Sequence, residues 1–247
     1  GDGGLTEIYF SNGFKLSKTL SIGIKSTYIF GKISSDISSI LSNESQFFSN
    51  YFEKSTFNDY SFMTGLFYSK EIEEDKFLKI GLVYDLKTSL KSSTFSQLER
   101  KIPNSLSILV IDTIYNNIIR DYTIPKNYGF GISYEILDRL SLGVDFKYQP
   151  WKENAGYEGQ KNNYKNYFQI SSGIEIIPNA QDVNNYLNRV TYRGGLLYKS
   201  YPYFINENNT NNIAATFGLS LPIGTLSRIN LGFEFGKRGN LIKNLTK

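Results

Sequence analysis

The chain has 247 residues, 20% of them charged, a formal net charge of +4 and a mean hydropathy below zero. It holds neither cysteine nor histidine, which excludes disulfides, thiolate metal sites and the Ser-His and Cys-His catalytic arrangements. No apolar run reaches the ~18 residues of a transmembrane helix, and the positive charge is spread out instead of forming a nucleic-acid patch, so a membrane span must be built from strands.

The sequence contains 19 Tyr, 18 Phe and 21 Gly, with Asn, Lys and Ser-rich stretches between apolar segments, as expected of many strands joined by polar loops. It begins Gly1-Asp2-Gly3-Gly4 and shows no signal-peptide pattern, so it reads as a processed or partial chain. No linker divides it, and residues 1–247 are taken as a single domain.

Alternation of period two recurs along the chain. After a segment at 5–16, the run from Leu20 sets Leu20, Ile22, Ile24, Tyr28 and Phe30 on an outer face, and Ser21, Gly23, Lys25 and Thr27 on an inner one. After 60–72, the run from Leu78 sets Leu78, Ile80, Leu82, Tyr84 and Leu86 against Lys79, Gly81, Asp85 and Lys87. A segment at 122–136 follows, then Leu140, Leu142, Val144, Phe146 and Tyr148 against Ser141, Gly143, Asp145, Lys147 and Gln149. Four more lie at 164–177, 190–200, 213–223 and 228–238.

About ten strands result, joined by connections that alternate between short (near 17–18, 73–76, 137–139 and 224–227) and long (34–58, 91–121, 152–163 and 201–212). This is the signature of an all-β, antiparallel transmembrane barrel with short periplasmic turns and longer extracellular loops. One short-side turn, 178–189, is longer than the others and is read as a periplasmic decoration. The apolar stretch 108–119 is read as the hairpin continuing above the membrane, with a separate loop-buried strand as the alternative. A soluble sandwich or lipocalin-like barrel would also alternate, with its apolar face turned to a core. Against it stand an inner face crowded with Gly and Ser, strands near the ~9–11 residues of a membrane strand, and aromatics at segment ends (Tyr84, Tyr134, Tyr148, Trp151, Tyr198, Tyr201 and Tyr203) suited to interfacial girdles.

In the C-terminal third, Arg189-Val190-Thr191-Tyr192-Arg193-Gly194-Gly195-Leu196-Leu197-Tyr198, then Tyr201-Pro202-Tyr203 with Ile205-Asn206, and Gly218-Leu219-Ser220-Leu221-Pro222-Ile223-Gly224 resemble the FadL-type outer-membrane transport family. Ile229-Asn230-Leu231-Gly232-Phe233-Glu234-Phe235-Gly236-Lys237-Arg238-Gly239 is similar to the penultimate strand of the branch found in Bacteroidota. Asn12-Gly13-Phe14-Lys15 with Leu20-Ser21-Ile22-Gly23 resembles an earlier strand pair. The resemblance implies a fourteen-stranded barrel in the cell outer membrane, with an N-terminal hatch in its lumen, that takes up long-chain fatty acids or other hydrophobic compounds. On that pattern this chain holds strands four to thirteen, without the hatch, the first strands and the last one.

The lumen-lining candidates are Lys25, Asp85, Asp145, Lys147, Glu175, Arg193 and Glu234. Asp85, Asp145, Glu175 and Glu234 invite comparison with catalytic carboxylates, but pairing with Lys25, Lys87, Lys147, Lys165 and Arg193 as cross-strand salt bridges is the favoured role. Glu73-Glu74-Asp75 lacks the spacing of a calcium loop and reads as a solvated turn. Gly194-Gly195 marks a strand kink or close packing. No catalytic residue, metal or cofactor is expected, and no enzymatic activity. The expected partners are outer-membrane lipid, a hydrophobic ligand and other envelope proteins in a complex, and no nucleic acid. Passage of hydrophobic small molecules is the first functional expectation. A structural or accessory subunit of a larger secretion or protein-insertion complex is the second, and a soluble all-β binding protein the third.

Overall fold

A computed structural model describes residues 1–39, 48–101, 108–154, 156–157, 164–205, 208–224 and 227–239. Its strands are β1 (Asp2–Lys15), β2 (Leu20–Ser39), β3 (Phe48–Glu73), β4 (Lys76–Asp85), β5 (Thr88–Lys101), β6 (Ile108–Ile124), β7 (Asn127–Ile136), β8 (Leu140–Gln149), β9 (Gly156–Tyr157), β10 (Tyr167–Ile176), β11 (Thr191–Ile205), β12 (Asn208–Pro222) and β13 (Arg228–Arg238), with a helical turn α1 (Trp151–Asn154). Ten of them form one antiparallel wall in the order β1-β2-β3-β4-β7-β8-β10-β11-β12-β13. β5, β6 and β9 branch from the upper half of β3.

The fold is the all-β transmembrane barrel wall. Strands β4, β7, β8 and β10 are ten residues each. At ~3.4 Å per residue and a tilt near 40°, such a strand spans about 24 Å of membrane, the height of a barrel's apolar band. The outer face carries Leu82, Phe130, Ile132, Leu142, Val144, Phe146, Ile170 and Ile174, all exposed. The buried hydrophobics among the described residues are only Ile29, Phe57, Leu90, Val190 and Ala214. A soluble barrel would show the reverse, with its large apolar side chains inside.

Turn chemistry shapes the periplasmic end. Ser17 Oγ accepts from the Thr19 and Leu20 N–H groups at 3.2 and 3.0 Å. Asp75 and Asp138 take positive φ (59° and 55°), which short polar side chains tolerate. The turns link laterally through Ser69 N–H to Thr19 O, Leu137 N–H to Asp75 O and Ile177 N–H to Arg139 O, each at 2.8 Å. Glu73-Glu74-Asp75 sits in such a turn, with Glu73 paired to Lys76. In the longer turn, Asp182 accepts from Asn188 Nδ2 (2.6 Å), Asn185 N (2.9 Å) and Asn184 N (2.8 Å), which hold its carboxyl below the usual carboxylate range.

The upper end departs from the sequence reading. Stretches 34–58, 91–121 and 201–212, expected as loops, largely continue as strand: β2 runs to Ser39, β3 starts at Phe48, and β11 and β12 meet across 205–208. Above the lipid neither face has to be apolar, so Ser- and Thr-rich runs pair without displaying alternation. The stretch 108–119 lies within β6, where the hairpin continues. β4 pairs with β7 up to Asp85↔Asn127, and β5 pairs with β6 from Thr88↔Ile124 in the same frame. The segment expected as one strand over 122–136 is instead two, broken at Pro125-Lys126, because Pro125 has no N–H for the ladder. Most of 152–163 lies outside the described residues.

Candidate lumenal site

Register carries one face around the wall. The pairs Lys25↔Met63, Met63↔Asp85, Asp85↔Asn127, Gly131↔Asp145, Gly129↔Lys147, Glu175↔Arg193, Arg193↔Gly218 and Thr216↔Glu234 place all seven candidates on the side opposite the exposed apolar rows. Cross-strand opposition keeps a residue and its partner on one face.

The seven differ in what they meet. Arg193 is the best connected: its Nε lies 2.5 Å from Glu175 Oε2 and its Nη1 donates to Ser220 Oγ at 2.6 Å, and Ser220 in turn meets Asn230. Asp85 accepts from Asn127 Nδ2 at 2.7 Å. Lys25 lies over the Tyr9 ring, 4.5 Å from its centroid. Asp145 rests above Gly131, where a Cβ would come 2.5 Å from its Oδ1, so the glycine makes room for the carboxylate. Lys147 lies between Gly129 and Gln169, and Glu234 faces Thr216. Thus one of the expected salt bridges forms, Glu175–Arg193. Among the described residues Lys25, Asp145, Lys147 and Glu234 make no ion pair, and no acid faces another across a strand pair. A further inner-face pair is Lys79–Glu135. Gly194 and Gly195 keep regular register, so they mark close packing and not a kink: a Cβ on Gly195 would lie 2.7 Å from Thr216 Oγ1.

At the upper end of this face lies a cavity of 280 Å³ lined by Glu7, Lys25, Thr27, Asp85, Thr88 and Gln149, among others. Ile29 and Ile124 line its upper side, and behind them lies the buried cluster that Ile29 forms with Phe57 and Leu90, against which Tyr122 and Ile124 pack. Phe57 meets Tyr122 edge-on, with ring centroids 6.4 Å apart. Gln149 ties the rim together by donating to the Pro125 carbonyl at 2.9 Å and accepting from Trp151 Nε1 at 2.8 Å. The result is a charged, hydrogen-bonding chamber under an apolar ceiling. Glu7, Tyr9, Asn127 and the ceiling were missed in the sequence. Period-two counting through β1 would have found Glu7 and Tyr9, whereas the ceiling depends on β5 and β6 pairing above the membrane.

The model of the BamG family matches residues 1–247. The chain belongs to the BamG family. No curated protein matches this BamG-family chain. Solved structures similar to it include a Pseudomonas aeruginosa FadL homologue (TM-score 0.58, 14% identity, covering 96% of this chain and 60% of that one). Another is the toluene transporter TodX of P. putida (TM-score 0.58, 14% identity, covering 93% and 62%). The chain therefore spans about three fifths of the length of these proteins, and the likeness shows that its fold is that of a FadL-type outer-membrane barrel.

Proposed function

We propose that this barrel is a non-enzymatic accessory subunit of a larger outer-membrane secretion or protein-insertion assembly. The observation that carries the reading is the surface of β6. Ile111, Ile114, Ile118 and Ile119 are exposed there, Ile119 at 76%. They stand beyond the lipid band, since Ser93, opposite Ile119, is eight residues past Asp85 (93 − 85) at the end of β4. Above Tyr122, toward Ile108, β6 pairs with β5 among the described residues. A row of exposed apolar side chains outside the membrane marks a protein-binding surface. Membership of the BamG family fits a complex with other envelope proteins.

The second reading is passage of hydrophobic small molecules, as fatty acids or aromatic hydrocarbons, across the outer membrane. It is favoured by the fold shared with a FadL homologue and a toluene transporter and by the apolar ceiling over the chamber. The Ile229–Gly239 motif favours the Bacteroidota-type branch within either reading.

Extraction of the native protein in mild detergent, followed by sizing and mass spectrometry of the peak, separates the two. The subunit reading expects a stoichiometric set of envelope proteins that is lost on Ile119→Asp. A lone barrel carrying a hydrophobic small molecule would overturn it in favour of transport.

A further inference from the structure

An apolar trough of 380 Å³ opens on the outer face of the wall, away from the lumenal chamber. Register shows how it is made. The outward rows Thr64↔Tyr84↔Tyr128 and Leu66↔Leu82↔Phe130↔Phe146 form its two sides, and the backbone of Gly65, Val83 and Gly129 lies between them. Thr64 is the small member of its row, and Tyr84 and Tyr128 lean together with centroids 5.2 Å apart. The rows lie at the end of β4 and the start of β7, on the same side of the membrane as the β5–β6 hairpin, which is the extracellular half. Directly above, the Lys126 ammonium stands 5.5 Å from the centre of the Tyr128 ring. Hydrocarbon surrounds this part of the wall, and a cation at headgroup level attracts phosphate.

We propose that this trough is a specific site for an outer-leaflet lipopolysaccharide molecule, with one acyl chain laid between the two rows and a lipid A phosphate at Lys126. A trough with an apolar floor and aromatic sides orders a saturated chain, and the lysine selects a phosphorylated head over a zwitterionic one. The inference rests on the outer-membrane location and not on the partner reading.

The test is native mass spectrometry of the delipidated full-length protein titrated with purified lipid A, beside phosphatidylethanolamine. Thr64→Phe fills the trough from outside, Lys126→Gln removes the cation, and Lys147→Gln, on the lumenal face, is the control. Retained heat-modifiable migration shows that each variant is folded, and if Thr64→Phe does not fold, Lys126→Gln decides alone. The expected result is about a fivefold loss of lipid A binding in Lys126→Gln, a larger loss in Thr64→Phe and none in the control. Equal binding in all variants, or equal binding of phosphatidylethanolamine, overturns the site. Fractionation of the same cells keeps the failures apart, because protein missing from the outer membrane refutes the location itself.

Discussion

The Glu175–Arg193 pair gives the sharpest energetic expectation for the lumenal face. Its two side chains are 39% and 42% exposed, so water screens them and the direct coupling is about 0.5–1 kcal/mol despite the 2.5 Å contact. Arg193 also donates to Ser220, a charged hydrogen bond worth roughly 1.5 kcal/mol. Arg193→Ala should therefore cost about 2 kcal/mol, and Glu175→Gln about 1 kcal/mol or less. The double variant should recover the coupling. Urea unfolding of vesicle-embedded protein, followed through Trp151, the one tryptophan of the chain, measures the cycle. In 1 M salt, where the screening length is about 3 Å, the coupling should shrink. A coupling of zero at low salt, or one above about 3 kcal/mol that ignores salt, would refute the account of a hydrated lumen wall.

Three further outcomes follow from particular residues. Gly31 has φ of 149°, and a Cβ there would strike the Gly4 carbonyl, so Gly31→Ala should cost about 1–3 kcal/mol in the same unfolding assay. Gly232→Ala, with open space around it, should stay within about 0.5 kcal/mol. Asp182 has a depressed pKa, so its contribution to the 178–190 turn is present above the ordinary aspartate value, near 4, and is lost as pH falls through its lower folded value. Amide exchange of that turn, corrected for intrinsic rate, should hold steady from pH 7 to about 4 and rise below it, whereas a rise already near neutrality would contradict this. Phe57→Ala, which opens the apolar ceiling, should cost about 3 kcal/mol and raise ion conductance in planar bilayers; unchanged conductance would show that the cluster does not close the chamber.

The membrane part of the fold was largely legible because lipid and lumen impose opposite demands on alternate residues. β8 and β13 begin and end where alternation begins and ends, and the parity that put Lys25, Asp85, Asp145, Lys147, Glu175, Arg193 and Glu234 on one face is the parity of the paired strands. Above the membrane that constraint lapses. Ser34-Ser35-Asp36-Ile37-Ser38-Ser39 and Ser92-Ser93-Thr94 read as loop, yet pair along β3 because backbone groups, and not apolar faces, hold them. The chamber was illegible for a related reason. Its ceiling joins Ile29, Phe57 and Leu90 from three strands, and Leu90 and Phe57 reach one face only because the β3–β5 register is offset by one residue from that of β3–β4, from Met63↔Asp85 to Phe57↔Ser92.

The subunit reading is tested most directly by a photo-cross-linking amino acid placed at Ile119 in cells, with Lys147 as the lumenal control. The account predicts one dominant adduct with an envelope protein from Ile119 and none from Lys147. Absence of any protein adduct at Ile119, with the barrel correctly folded in the outer membrane, would contradict it.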